Sequence, residues 1–136
     1  VRRKDVCCEM ATGELYEVRL THSVIGAFFE VYNHLGFGFS ERIYANALEF
    51  ELKSRAHDVR REVSFPVYYK GHWVGDHRLD MVVDSKLIVE NKSSYQLKRE
   101  NAQQVYNYVS ASRLKVGLLL HFGPRPKVFR FVDRNV

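Results

Sequence analysis

The hydrophobic period changes near Asp58, and this change constrains the fold more than any other feature of the sequence. Between residues 17 and 35, apolar residues recur every three or four positions, as in an amphipathic helix. Ser40 can cap a second helix, which the polar stretch 54–58 ends. Beyond Asp58 apolar and polar residues mostly alternate, which is typical of a half-buried strand. Two helices therefore precede a sheet.

Turn signals divide the rest of the chain into five strands and one further helix. We predict strands over 59–69, 73–83, 86–92, 116–122 and 128–132, and a helix over 94–112. The continuous apolar run Leu87-Ile88-Val89 favours a central strand. The predicted order is ααβββαββ, an α/β protein with a mixed sheet.

The chain has the length of one domain. Its 136 residues suffice for one well-buried core, and the sequence contains no repeat or linker-like segment. We predict a single domain over 17–136 and expect the N-terminal extension, residues 1–16, to be poorly ordered. The adjacent Cys7 and Cys8 disfavour an ordinary disulfide, and no apolar run approaches the roughly 20 residues of a membrane span. We therefore expect a cytoplasmic or otherwise intracellular protein without a membrane partner.

A formal charge of +5 permits a polyanionic partner such as a nucleic acid. Six basic residues in the second half of the chain could contact phosphates: Lys98, Arg99, Arg113, Lys115, Arg125 and Lys127. The same residues could equally form an ordinary solvated surface.

Three charged residues stand beside the most apolar strands. Asp80 lies in one of them, and Glu90 and Lys92 end the run that returns across the Asp84-Ser85 turn. Buried charges are costly unless they are paired or bind a cation. Glu90 and Lys92 share one strand face, and if Asp80 points there, the oxygen donors suit Mg²⁺ or Mn²⁺. The alternative, that all three are solvated strand ends, stays open.

Such a metal site suits phosphodiester hydrolysis, in which Lys92 would position or deprotonate the attacking water. Glu41 and Tyr44 share a helix face, so Glu41 could be a further metal or water ligand, or simply an acid favoured in a first helical turn. Gln104 and Tyr108, also on one face, could bind phosphate or water, or form the rim of a packed helix.

The segment 38–44, Gly-Phe-Ser-Glu-Arg-Ile-Tyr, resembles the signature of the GxxExxY proteins, a family of the PD-(D/E)xK nuclease superfamily. The likeness extends over residues 20–132. It includes segments 46–48, 51–52, 67–71, 78–80, 88–92, 104–108 and 122–123.

The resemblance implies a restriction-endonuclease-like αβββαβ core with an extra N-terminal helix. It makes Asp80 the motif aspartate, Glu90-Asn91-Lys92 the ExK motif, Glu41 the helix acid and 104–108 a QxxxY element. The implied metal ligands are Asp80, Glu90, Glu41 and the main-chain carbonyl of Asn91. The middle ExK residue is usually aliphatic, so the amide of Asn91, expected on the opposite sheet face, needs partners if buried. Phe37 replaces a common proline, and His121 a usual asparagine.

The leading hypothesis is a metal-dependent nuclease acting on DNA, with RNA as a further possible polymer. Its expected catalytic residues are Glu41, Asp80, Glu90, Lys92 and Gln104, and its expected substrate-binding residues are Tyr44, Tyr108, Lys98 and Arg99. One alternative is a binding module that keeps the nuclease fold without cleavage. Another is a homodimeric interaction protein, because Phe28 and Phe29 cannot both face one core from a helix.

Overall fold

Three helices and a six-stranded sheet make up the computed structural model, which describes residues 4–5 and 17–133. The helices are α1 (Val18–Leu35), α2 (Glu41–Ser54) and α3 (Arg99–Ser112). The strands are β1 (Lys4–Asp5), β2 (Val59–Tyr69), β3 (His72–Val83), β4 (Leu87–Ser93), β5 (Val116–Phe122) and β6 (Pro126–Val132).

The sheet is mixed, with strand order β1-β6-β5-β4-β3-β2. β4 and β5 run parallel and are joined through α3, whereas the other neighbouring strands are antiparallel. Parallel neighbouring strands need such a crossover connection, because a tight turn can join only antiparallel strands. This topology confirms the predicted α/β class with a mixed sheet.

Two apolar layers enclose the sheet. On one face α1 and α2 pack through residues such as Phe28 and Leu48, and on the other α3 packs through Val105 and Val109. β4 contributes to both layers, so its apolar run is buried, as predicted for a central strand. None of the helices in the described part of the chain is long and apolar enough to span a lipid bilayer.

Two elements begin two or more residues away from the predicted position. The helix predicted to begin at residue 94 begins at Arg99, because the hydroxyl of Ser94 donates to the carbonyl of Gln96 and lies 3.0 Å from Nε2 of His121. β6 begins at Pro126, earlier than predicted, in a first-strand position that proline tolerates.

The extension 1–16 falls mostly outside the described residues. Only Lys4–Asp5 is described, as a two-residue strand that pairs with β6. The rest of the expectation for this segment stays a prediction.

Candidate active site

A fork between β3 and β4 forms the centre of the site. These strands pair over three residue pairs, from Val83↔Leu87 to Met81↔Val89. Beyond this point β3 continues along β2 and β4 continues along β5. Asp80 and Glu90 are the first residues past the last pair, so both side chains lie where the strands separate.

Each carboxylate at the fork accepts a backbone hydrogen bond from the opposite strand. The N–H of Asp80 donates to Oε2 of Glu90 over 2.8 Å, and the N–H of Asn91 donates to Oδ2 of Asp80 over 3.1 Å. The two side chains therefore replace the carbonyl acceptors that a continued ladder would supply. Because buried backbone donors require partners, these bonds fix both carboxylates in place.

The side-chain alternation of β3 is broken at Asp80. Leu79 and Val82 both pack in the layer with α3, although residues three apart in a regular strand face opposite sides. The pairs Arg61↔Met81 and Val63↔Leu79 flank an unpaired step in the neighbouring β2, where Glu62 has a φ of 54°. This irregularity aims Asp80 into the fork instead of along one sheet face.

The first turn of α2 meets the end of β4 at the same place. Oε2 of Glu41 lies 3.4 Å from Nζ of Lys92 and accepts the N–H of Ser93 over 3.3 Å. Ser40 caps this helix, as predicted, by accepting the N–H of Ile43. Helix capping therefore positions Glu41 beside Lys92.

Both fork carboxylates are harder to ionise than exposed acids. Burial is the largest cause that raises the pKa of Glu90 to about 7, and the charges of Asp80 and Glu41 act in the same direction. Burial also raises the pKa of Asp80, against the hydrogen bonds from Asn91. A nearby cation would relieve this cost.

The donor set fits a hard divalent cation, although it is sparse. Within residues 4–5 and 17–133, no group of three or more His, Cys, Asp or Glu side chains is placed to hold a metal ion. Asp80 and Glu90 offer two adjacent carboxylates, and each has lone pairs beyond its backbone hydrogen bond. Mg²⁺ is commonly bound through one or two carboxylates, with water and substrate phosphate as further ligands.

Asn91 behaves differently from the expectation that its amide faces away from the site. Its Nδ2 donates to Oδ2 of Asp80 over 2.7 Å, so the amide joins the fork. The side chain is buried, and its Oδ1 has no hydrogen-bond partner among the described residues.

Tyr44, predicted to bind substrate, lies in the core and not at the surface of the cleft. Its side chain is fully buried and stacks on Phe122 with the ring centroids 4.1 Å apart. Its hydroxyl donates to the carbonyl of Gly36 and accepts the N–H of Phe39 over 3.2 Å. Tyr44 therefore supports the glycine loop before α2 and is closed to substrate.

Gln104 lies exposed on α3, and no side-chain hydrogen bond or ion pair joins it to the other predicted catalytic residues in the described part of the chain. Tyr108, from the same helix, is buried, and the charge of Glu90 adds to burial in raising the pKa of its hydroxyl. Lys98 and Arg99 lie exposed at the start of α3.

Sequence reasoning missed Arg61. Together with Glu41 and Asp80 it lines a cleft of about 540 Å³ beside the fork, and its charge lowers the pKa of Asp80 against the effect of burial. Its guanidinium donates to Asn46 and Glu49 of α2 over 3.0 and 2.9 Å. No sequence signal separates it from Arg60, because the two differ only in strand face.

The paired acids at the strand fork, the lysine two residues further on and the helix acid beside it match the motif order that the resemblance to the PD-(D/E)xK superfamily implies. The sequence model of the PD-(D/E)XK nuclease superfamily matches residues 18–131, and the chain belongs to this superfamily.

Comparison with known proteins adds a structural relative. A crystal structure of SSO0001 aligns with a TM-score of 0.55 and 20% identity, over 87% of this chain and 60% of that chain. This likeness supports the restriction-endonuclease-like fold, and this chain spans about three fifths of that relative. No curated protein matches the sequence.

Proposed function

We propose that this chain is a GxxExxY-type nuclease that hydrolyses DNA phosphodiester bonds with Mg²⁺ or Mn²⁺. The observation that carries the proposal is the fork. There the N–H of Asp80 donates to Glu90 and the N–H of Asn91 donates to Asp80, while Lys92 contacts Glu41 over 3.4 Å. Superfamily membership makes a nucleic acid the natural substrate class.

The metal would be held by Asp80, Glu90 and the main-chain carbonyl of Asn91, with Glu41 assisting. When bound, it would polarise the phosphate and stabilise the negative charge that develops on its oxygens. The raised pKa values of Asp80 and Glu90 favour this role, because they show that the surrounding protein groups do not fully offset the cost of burying the two negative charges.

The protein's own groups would orient the reactants. Nζ of Lys92, held beside Glu41, would position the water whose oxygen bonds to phosphorus as one ester P–O bond breaks. Tyr108 keeps its proton, because burial and the charge of Glu90 raise its pKa, and so it remains a hydrogen-bond donor. Gln104 would have to turn toward bound substrate to take part.

Cleavage assays with labelled single- and double-stranded DNA and Mn²⁺ test this proposal. We expect Asp80→Asn and Lys92→Ala to lower the rate by about two orders of magnitude or more, since each removes a group at the reacting centre. Asn at position 80 keeps an oxygen for the N–H of Asn91, so the fold should persist.

Glu100→Ala and Lys70→Ala are the matched controls, because both side chains are exposed and lie outside the fork. They should leave the rate unchanged. If both Asp80→Asn and Lys92→Ala still cleave DNA at the wild-type rate, the proposed active site is wrong.

A non-cleaving binding module is the second candidate. The sparse donor set favours it, since the described residues contain no three-acid metal cluster. Calorimetric titration with Mn²⁺ separates the two functions: a nuclease should bind the ion in a manner that Asp80→Asn abolishes, and a binding module should not. The homodimer stays a prediction, in which Phe29, 38% exposed beside the buried Phe28, would contribute to the interface.

A further inference from the structure

Two exposed aromatic rings lie together beside the candidate active site. The rings of Phe37 and Tyr95 are 6.3 Å apart, and the side chains are 42% and 75% exposed. Exposed aromatic side chains lose the free energy that burial would provide. Tyr95 follows Lys92 by three residues and Phe37 precedes Glu41 by four, so the pair lies within a short chain distance of the fork.

Hydrogen bonds hold the two loops that carry these rings. Ser93 Oγ donates to the carbonyl of Phe39 over 2.6 Å, which ties the segment after β4 to the glycine loop. Gly36 and Gly38 flank Phe37 with φ values of 71° and 123°, where other residues would be strained. The rings are therefore displayed from fixed backbone.

A basic cleft adjoins Tyr95. It has a volume of about 520 Å³, and its lining includes Tyr95, His121, Arg125 and Lys127. Arg125 and Lys127 are exposed, whereas burial lowers the pKa of His121 and favours its neutral form. A cleft with cations beside an aromatic pair offers phosphate contacts and base stacking together.

We propose that Phe37 and Tyr95 form a stacking platform for unpaired bases, and that the nuclease takes single-stranded or frayed DNA. This inference rests on the proposed function. Bases in a duplex stack on each other and keep their faces covered, so an exposed ring pair can stack only with bases that have left a duplex. Arg125 and Lys127 would contact the backbone of the same strand as it leaves the fork.

Binding of a fluorescent twelve-nucleotide oligo(dT) and of a blunt twelve-base-pair duplex, both in EDTA, tests the platform. We expect Phe37→Ala and Tyr95→Ala each to weaken oligo(dT) binding about five- to hundredfold, as loss of a base-stacking ring does elsewhere. Duplex binding should change less than twofold. Phe50→Ala is the matched control, because Phe50 is 76% exposed on α2 and lies outside the platform.

The cations have a separate readout. Replacing Arg125 and Lys127 by alanine should flatten the slope of log affinity against log salt for oligo(dT), by about 0.7 for each phosphate that the protein no longer neutralises. Unchanged oligo(dT) binding in the double variant Phe37→Ala/Tyr95→Ala would overturn the inference, as would an equal loss for the duplex.

The metal-free binding assay and the cleavage assay with Mn²⁺ together separate this inference from the proposed function. If the wild-type protein binds oligo(dT) through the platform but never cleaves with Mn²⁺, the nuclease assignment fails and the platform stands. If it cleaves and the platform variants bind normally, only the platform fails.

Discussion

Asn91, the middle residue of the ExK motif, adds a side-chain hydrogen bond to the fork. Its amide donates to Asp80 over 2.7 Å, where an aliphatic residue at the middle of the ExK motif would offer no hydrogen bond. The same side chain buries an Oδ1 that has no partner among the described residues. Asn91 therefore leaves one acceptor unsatisfied, which is unfavourable for stability, and adds a hydrogen bond that holds the Asp80 carboxylate in place.

Asn91→Leu should separate these two effects. We expect the free energy of unfolding to stay within about 1 kcal/mol of wild type, because the lost hydrogen bond is offset by removal of the unpaired oxygen. The affinity for Mn²⁺ should fall about tenfold, as for other residues that orient a metal ligand. Urea denaturation and calorimetric titration measure the two quantities, and an unchanged Mn²⁺ affinity would show that Asp80 needs no help from Asn91.

At the residue scale, the sequence predicted which charged side chains lie together better than it predicted which aromatic side chains are buried. The charges of Asp80, Glu90 and Lys92 stood out against apolar strands, and the structure gathers Glu41 with them. The burial of Tyr44 was not predictable, because a motif gives a spacing and carries no information on whether a ring points into a core. The break in alternation at Asp80 depends on the backbone of another strand, and so it left no local signal.

At the scale of elements, a chain of three side chains fastens α1 to the β3–β4 turn. Oγ of Ser23 lies 2.7 Å from Nε2 of His57, and Nδ1 of His57 lies 2.8 Å from Oδ2 of Asp84. Oδ1 of Asp84 accepts the N–H of Asp58 over 2.8 Å. The turn that sets the β3–β4 register, and hence the fork, is thus fixed from outside the sheet.

Asp84→Asn should weaken this connection in a pH-dependent manner. Although burial opposes it, the hydrogen bond from His57 and its charge keep the pKa of Asp84 below the ordinary value. A lowered folded-state pKa stabilises the fold above the unfolded pKa of about 4 and loses that contribution as pH falls through the folded value. Asparagine tolerates the φ of 54° at this position, so strain adds little.

We expect a loss of about 1 kcal/mol in the free energy of unfolding at pH 7 and a smaller difference near pH 3. Urea denaturation at both pH values provides the measurement. Asp58→Asn removes a charge from a more exposed acid of the same region and serves as control. An equal loss at both pH values would contradict the role given to the Asp84 charge.

Element types were predictable because the hydrophobic period switches near Asp58 and again on either side of α3, and turn residues bound each apolar run. The start of α3 was not predictable. Ser94 fits a helix by its local sequence, but in the fold its hydroxyl lies 3.0 Å from Nε2 of His121, which is 27 positions away. Such errors arise where a tertiary contact outweighs a local preference.

At the scale of the whole molecule, β2 and β3 extend well beyond the rest of the sheet. β3 pairs with β4 only through Met81, Val82 and Val83, whereas it pairs with β2 as far as His72. The far end of this hairpin displays Tyr68, Tyr69 and Trp73, all more than 60% exposed. These rings lie apart from both apolar layers.

This placement makes tryptophan fluorescence a reporter of the hairpin end. Trp73 is the single tryptophan of the chain, and its indole N–H donates to Asp76 over 3.0 Å. Acrylamide should quench the native emission almost as strongly as that of the urea-unfolded chain, because the ring is already 61% exposed. A native signal well shielded from acrylamide would mean that the hairpin end is covered in solution. If the hairpin end is open, the tryptophan emission will change little when the core unfolds. It will change, however, when another molecule binds to the hairpin end.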